Sequence, residues 1–113
     1  MASERAVFQS RQFGPLQGIR IISSGTIIAQ PFAAAMAAEM GAEVIQIERP
    51  GVGDIWRDLE FPIPINSGSS GEGNGSVAAG WVQDRRNTHH ITLDLSEPEG
   101  KDLFLRLVAD ADI

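Results

Sequence analysis

The pattern of apolar and polar positions predicts a strand, a helix and a second strand in the first half of the chain. Residues 19–23 and 43–48 are short runs rich in β-branched side chains, which is typical of buried strands. Between them, an alanine-rich segment opens at Pro31 and stops at Gly41, residue types that favour a helix start and a helix end. This order predicts a Rossmann-like βαβ unit with parallel strands and a right-handed crossover. Because the helix is apolar nearly all round, we expect it to be buried.

The last third of the chain predicts another strand followed by an amphipathic helix. Residues 90–95 alternate like a strand, and a helical pattern runs from about residue 96 to 109. Ser96 and Glu99 have the spacing of a capping box at the helix start. The predicted apolar stripe of this helix consists of Leu103, Phe104, Leu107, Val108 and Ala111.

Residues 111–113 resemble the start of a further strand. We therefore interpret the chain as the incomplete N-terminal part of a larger α/β domain, the alternative being a short tail that packs by itself. Residues 1–12 are expected to form a flexible lead-in, and residues 13–113 one partial domain. A Gly/Ser-rich segment predicts an exposed loop at about residues 66–80 within that domain.

Composition and charge exclude several classes of protein. The 113 residues are 42% hydrophobic and 21% charged, which is ordinary for a globular domain. A formal net charge of -6 disfavours non-specific binding to nucleic acid, which requires a basic face. The absence of cysteine excludes disulfides and thiolate chemistry within these residues. We expect no membrane span and a cytoplasmic location, because no apolar stretch approaches the ~20 residues that a span needs.

Two familiar kinds of site are disfavoured by the motifs. The turn after the first strand has one glycine, Gly25, followed by Pro31, so it lacks the glycine-rich fingerprint of a dinucleotide site. His89 and His90 are adjacent on a predicted strand and should point to opposite faces, which makes a shared metal unfavourable. We predict no metal site, and we expect one histidine to face inward and the other to face solvent.

The arginines are the best candidates for binding a ligand. Arg49 follows the second strand, at the edge where open α/β sheets bind ligands. Arg57, Arg85 and Arg86 lie in the connections nearby. Because the guanidinium fork suits phosphate, these side chains are candidates for a local anion site in an otherwise acidic chain, ordinary surface charge being the alternative.

Several ordered motifs resemble those of the class III (CaiB/BaiF-type) CoA-transferases. FGPLQGIR at 13–20 is similar to the family's GPLxGxRV opening, and AQPFA at 29–33 to its AGPF helix start. MGAEVIQIERP at 40–50 resembles LGAEVIKIERP, and GVGDIWR at 51–57 matches GxGDxxR. NTHHITLDLSEPEGK at 87–101 resembles NKRSITLDLKTPEGK, and ADADI at 109–113 resembles ADADV. The carnitine CoA-transferase branch is the most similar.

The resemblance implies an enzyme that moves CoA from an acyl-CoA to a carboxylic acid through an aspartate nucleophile. That aspartate belongs to a family segment beyond Ile113, so the resemblance implies no catalytic residue here and no activity for this chain alone. Coenzyme A and acyl-CoA are substrates rather than prosthetic groups, and the full-length protein is expected to be an interlocked homodimer. The positions that match family CoA contacts are Ile28, Ala29, Arg49, Leu93, Asp94 and Leu95.

The chain departs from the family pattern at three positions. Gln30 replaces a glycine, while Thr88 and His89 replace a Lys-Arg pair, which weakens the local positive field. Two alternatives to the transferase remain open. One is a 2-methylacyl-CoA racemase of the same family, and the other is a non-catalytic CoA-binding or interaction module.

Overall fold

The computed structural model describes residues 13–59, 61–66 and 74–113, so the predicted lead-in at 1–12 and most of the Gly/Ser run lie outside the described residues. The first elements are β1 (Arg20–Ser23), α1 (Ala29–Glu39) and β2 (Glu43–Glu48). β1 and β2 pair in parallel, with Ile22 opposite Ile45. The predicted βαβ unit is therefore confirmed, and with it the α/β fold class.

The end of α1 is shaped by a glycine that another side chain could not replace. Gly41 has a φ of 102°, and a Cβ atom there would lie 1.7 Å from the carbonyl oxygen of Phe13. Glycine is the residue that takes this conformation without a steric penalty. The tight turn leads directly into β2 and fixes where the parallel strand begins.

A third parallel strand completes the main sheet of the described residues. β5 (His89–Thr92) pairs with β2, which gives the order β1-β2-β5 with β2 in the centre. Residues 111–113 lie along the free edge of β1. Ile113 donates its N–H to the Arg20 carbonyl and accepts from the N–H of Ile22, which is a parallel pattern of hydrogen bonds.

The sheet is packed between two helices. On one face, Ala34 and Ala38 of α1 contact Val44. On the other face, Ile45 and Ile47 are covered by α3 (Pro98–Ala109) through Phe104 and Leu107. These two clusters form the core, and the alternation of Val44 and Ile45 across the sheet follows from the two-residue period of a strand.

The prediction that α1 is buried holds for one face only. Pro31, Ala34, Ala35 and Ala38 are buried, whereas Met36 on the opposite side is 53% exposed. The predicted stripe of α3 is likewise covered in part, because Leu103 and Val108 stay exposed while Phe104, Leu107 and Ala111 pack on the sheet.

The connection between β2 and β5 contains more regular structure than the sequence predicted. A 3₁₀-helix (Ile55–Arg57) is followed by an antiparallel hairpin of β3 (Pro62–Asn66) and β4 (Asn74–Ala78), then by α2 (Ala79–Asp84). The predicted loop at about 66–80 is thus narrower, since β4 and the start of α2 occupy residues 74–80. Residues 67–73 lie outside the described residues.

The predicted capping box at the start of α3 is wrong. The N-cap is Glu97, Pro98 occupies the first turn, and no side chain caps the helix. Ser96 instead donates its hydroxyl and its N–H to Asp94 Oδ1, at 2.6 and 2.9 Å. Proline suits the first helical position, and α3 starts one residue later than the capping-box pattern requires.

None of the described helices is long and apolar enough to cross a membrane.

Candidate functional site

A pocket of about 330 Å³ opens at the carboxyl end of the main sheet. It is lined by the segments that follow all three strands: the turn after β1, the end of β2 with the loop that follows it, and the turn after β5. In an open parallel sheet this edge is the usual place for a ligand. The lining residues are Ser24, Thr26, Ile47, Glu48, Arg49, Gly53, Asp54, Leu93, Asp94, Leu95 and Ser96.

Four of the six predicted contact residues meet in this pocket. Arg49 approaches it from the end of β2, and Leu93, Asp94 and Leu95 approach it from the turn after β5. Ile28 and Ala29 lie at the start of α1, outside the lining. The structure therefore brings the strand-end residues together and leaves the two helix-start residues beside the pocket.

Asp94 presents an ionised carboxylate at the mouth of the pocket. Hydrogen bonds from the Ser96 hydroxyl and backbone N–H hold the pKa of Asp94 below its usual value, and the charge of Arg49 acts in the same direction. An ionised carboxylate only accepts hydrogen bonds, so Asp94 suits a ligand that offers hydroxyl or amine donors.

A second carboxylate, Glu48, belongs to the pocket lining but is buried and accepts several hydrogen bonds. Its side chain is 4% exposed, and Arg57 forms a bidentate pair with it at 2.7 and 2.8 Å. Its other donors are the N–H of Asp54 at 2.9 Å and Nδ1 of His90 at 2.7 Å. Burial raises the pKa of Glu48, but these hydrogen bonds outweigh it and lower the pKa to about 2.

His90 is half-buried and forms a hydrogen bond with the buried Glu48. Burial lowers its pKa, and this exceeds the opposite effect of the Glu48 hydrogen bond. Nδ1 of the ring lies 2.7 Å from Oε1 of Glu48, and Nε2 lies 2.9 Å from the hydroxyl oxygen of Thr88. Both His90 and His89 are partly buried, so the prediction that one would face solvent is wrong. Within the described ranges, no three acidic or histidine side chains cluster as metal ligands.

A third carboxylate, Asp54, forms a buried ion pair with Arg85. The two side chains are 1% and 3% exposed, with Nη2 of Arg85 3.0 Å from Oδ2 of Asp54. Asp54 also accepts from the N–H of Trp56 at 2.9 Å, which starts the 3₁₀-helix. This pair connects the loop after β2 to the end of α2.

Three of the four candidate arginines form ion pairs with acidic side chains, and the fourth, Arg49, lines the pocket. Arg57 and Arg85 lie over the ring of Trp81, at 3.9 and 4.8 Å from its centroid, while they pair with Glu48 and Asp54. Arg86 points elsewhere, toward Glu39 at 3.5 Å. Among the four candidates, Arg49 is the one that lines the pocket.

Sequence reasoning missed the acidic partners of these arginines. Glu48 and Asp54 lie inside the ERP and GxGDxxR motifs, so a signal existed, but it was assigned to the motif rather than to the side chains. Recognising that each acid would pair with an arginine 9 or 31 positions away requires the tertiary fold. The buried acids pair with two arginines, and among the described residues it is Arg49 that lines the cavity with a positive charge.

The fold and the pocket together define an α/β protein with a crevice at the carboxyl edge of a parallel sheet. A model of CoA-transferase family III matches residues 16–113. An L-carnitine CoA-transferase of Proteus mirabilis is 40% identical over 102 residues, which are 90% of this chain and 21% of that protein. The alpha subunit of a succinyl-CoA–L-malate CoA-transferase of Chloroflexus aurantiacus is 38% identical over 99 residues, or 88% of this chain and 21% of that protein.

A solved structure gives the same result. A CAIB/BAIF family protein from Brucella suis superposes with a TM-score of 0.75 at 31% identity, covering 89% of this chain and 25% of that one. The chain belongs to CoA-transferase family III, which confirms the resemblance found in the sequence. It spans about a fifth to a quarter of the length of these relatives.

Proposed function

We propose that this chain binds coenzyme A as part of an enzyme that transfers CoA between an acyl-CoA and a carboxylic acid. The observation that carries the proposal is the convergence of Arg49 with Leu93, Asp94 and Leu95 in one pocket at the carboxyl edge of the sheet. The family membership supports the transferase class, since the relatives named above are CoA-transferases.

Each pocket residue has a role that follows from its chemistry. Arg49 offers a guanidinium to the phosphate on the adenosine of CoA. Asp94, held ionised, accepts from a ribose hydroxyl or from the adenine amine. Leu93 and Leu95 supply apolar surface for the flat base. Ile28 and Ala29 flank the pocket at the start of α1, and we propose that they contact the ligand from that side.

The proposed reaction requires groups that lie beyond these residues. CoA acts as a substrate, and the nucleophilic aspartate is expected outside this chain, so these residues bind and orient without breaking the thioester. We propose that the protein works in the cytoplasm as a homodimer, with an acyl-CoA and a carboxylic acid as its partners.

The test replaces Arg49 by alanine in the intact protein, as its source produces it. Loss of a hydrogen bond to a charged group costs about 1.5–3 kcal/mol, so CoA affinity should fall roughly ten- to hundredfold. Titration calorimetry with free CoA measures the affinity, and transfer of CoA to a carboxylic acid measures the activity.

Arg86→Ala is the matched control, because Arg86 is an exposed arginine outside the pocket that faces Glu39 at 3.5 Å. It should leave CoA binding unchanged. An intact wild-type protein that binds no CoA would contradict the proposed function. Equal affinities for wild type and Arg49→Ala would instead contradict the role of Arg49.

A further inference from the structure

The turn after β1, residues 24–28, holds an unfavourable backbone conformation beside the pocket. Ile27 has a φ of 65°, which is uncommon for a β-branched residue. Such a conformation persists where the surrounding structure imposes it. Thr26, directly before it, lines the pocket, and Ile28, directly after it, begins the approach to α1. The geometry of this one residue therefore sets the direction of the pocket wall.

Two buried side chains form hydrogen bonds with both backbone polar groups of Ile27. The two carboxylate oxygens of Asp54 accept from the N–H of Ile27 at 3.1 and 3.2 Å. Nη2 of Arg85 donates to the carbonyl oxygen of Ile27 at 2.5 Å and to Asp54 at 3.0 Å. Ile27 itself is 37% exposed, so packing of its own side chain does little to hold it in place.

A purely stabilising role for the Asp54–Arg85 pair is the simpler alternative. Buried ion pairs are, however, often no more stabilising than apolar residues of the same size, because both charges lose their hydration. Here the pair does something that an apolar replacement cannot do, since it bonds to both polar groups of a residue with positive φ. The turn is also held two residues before Ile27, where Gln46 Nε2 donates to the Gly25 carbonyl at 2.8 Å.

We propose that Asp54 and Arg85 are positioning residues for the coenzyme pocket, which act by holding Ile27 in its left-handed conformation. Asp54 lines the pocket at its inner wall, but both of its oxygens are turned toward Ile27. Arg85 is buried and contacts the turn after β1 through the carbonyl oxygen of Ile27. The inference rests on the proposed binding of CoA and adds to it the residues that shape the site.

The test weakens the hydrogen bonds that hold Ile27 and then replaces Ile27 by glycine, which adopts positive φ without them. Asp54→Asn, in the intact protein, should weaken binding of free CoA about tenfold or more, the change expected when charged hydrogen bonds are lost. Adding Ile27→Gly to that variant should restore most of the affinity, because glycine adopts positive φ without a steric penalty. Adding Ile27→Ala should restore nothing, since alanine removes the side chain but keeps the penalty.

Asp58→Asn makes the same chemical change at an exposed aspartate four positions further along and should leave CoA affinity unaltered. If Asp54→Asn does not fold, Arg85→Gln is measured with the same pair of Ile27 changes, because Asp54 then keeps its bonds to the N–H groups of Ile27 and Trp56. A purely structural role predicts that glycine and alanine at position 27 behave alike.

The outcomes separate this inference from the proposed function. A wild-type protein that binds CoA, together with an Asp54→Asn variant that binds it equally well, overturns the positioning role and leaves the function intact. Affinity that is lost in Asp54→Asn and not regained with Ile27→Gly also overturns it. A wild-type protein without affinity for CoA removes both.

Discussion

At the scale of single residues, Glu48 connects the end of β2 to the 3₁₀-helix and to β5. Its two carboxylate oxygens are hydrogen-bonded to the side chains of Arg57 and His90 and to the N–H of Asp54. The pKa of about 2, against a usual 4.5, means that the folded state binds a proton at this carboxylate far more weakly than the unfolded chain does. The difference is a contribution to stability that depends on pH.

The sign of this contribution follows from the lowered pKa. Stability from Glu48 is fully present above about pH 4.5 and is lost as the pH falls toward 2, on the order of 3 kcal/mol in all. The lowered pKa of His90 acts in the same direction below its usual value of 6.5. We predict that Glu48→Gln lowers the thermal midpoint at pH 7 and flattens its decline between pH 5 and pH 3.

Scanning calorimetry of the intact protein across this pH range checks the prediction. Glu39→Gln is the matched control, since Glu39 is half-exposed and faces Arg86 at 3.5 Å, where an ion pair contributes little. A Glu48→Gln variant whose midpoint falls with acid as steeply as that of the wild type would show that Glu48 carries no such linkage.

The residue scale also shows what the sequence could predict about the site. Arg49 was identified because it follows a predicted strand, and position relative to a sheet edge can be read from the order of elements. Leu93, Asp94 and Leu95 were named from the family resemblance, since the pattern placed them inside a strand that in the structure ends at Thr92. Arg57 and Arg85 were candidates for anion binding, with surface charge as the alternative, whereas they pair with Glu48 and Asp54. Which carboxylate meets which arginine depends on packing across the chain, and no spacing rule encodes it.

At the scale of elements, the predicted strands and helices were those with the strongest local signals. β2 was predicted to the residue, because a β-branched run follows a glycine that ends a helix. The hairpin of β3 and β4 was not predicted, since Pro62, Pro64 and the Gly/Ser run are all typical of loops. Its strands are stabilised by pairing with each other, a property of the pair rather than of either segment.

Helix α3 and the pocket are connected through one close contact. Gly100 is buried in the first turn of α3, and a Cβ atom there would lie 1.8 Å from the carbonyl oxygen of Asp94. The backbones of the helix start and of the turn after β5 therefore lie too close together to leave room for a Cβ atom at position 100. Any side chain at position 100 must move one of them.

We predict that Gly100→Ala destabilises the protein and weakens CoA binding together. In a helix interior alanine is normally more stabilising than glycine by roughly 0.5–1 kcal/mol. The expected change in the free energy of unfolding therefore has the opposite sign to the one that helix propensity predicts. Thermal unfolding and CoA titration of the intact protein measure the two effects. Gly75→Ala, where a Cβ atom meets no other atom within 4 Å, is the control for the added methyl group. A more stable Gly100→Ala variant with unchanged affinity would contradict the contact.

At the scale of the whole molecule, the sheet brings three separate segments to one edge. β1, β2 and β5 run in parallel with β2 in the centre, so the turns that follow them meet above the same end of the sheet. Residues 111–113 continue this arrangement by bonding along the free edge of β1 in a parallel pattern. The predicted order of strands and helices was sufficient to locate this edge, because parallel strands leave few alternatives.

The depth and charge of the pocket could not be predicted in the same way. They depend on two buried acids that neutralise two arginines, and on a turn held in a left-handed conformation. Both are consequences of long-range contacts that form only in the folded chain. What the sequence does contain is the residue type at each position, and this is why Arg49 and Asp94 could be proposed before their surroundings were known.

The most direct test of the account compares CoA with CoA lacking the phosphate on its adenosine ribose. Titration calorimetry of the intact protein gives the affinity of wild type and Arg49→Ala for each compound. The account predicts that removing the phosphate weakens binding to the wild type roughly ten- to hundredfold and has little effect on Arg49→Ala, because the two changes remove the same contact. Independent, additive losses from the two changes would contradict the placement of CoA at the carboxyl edge of this sheet.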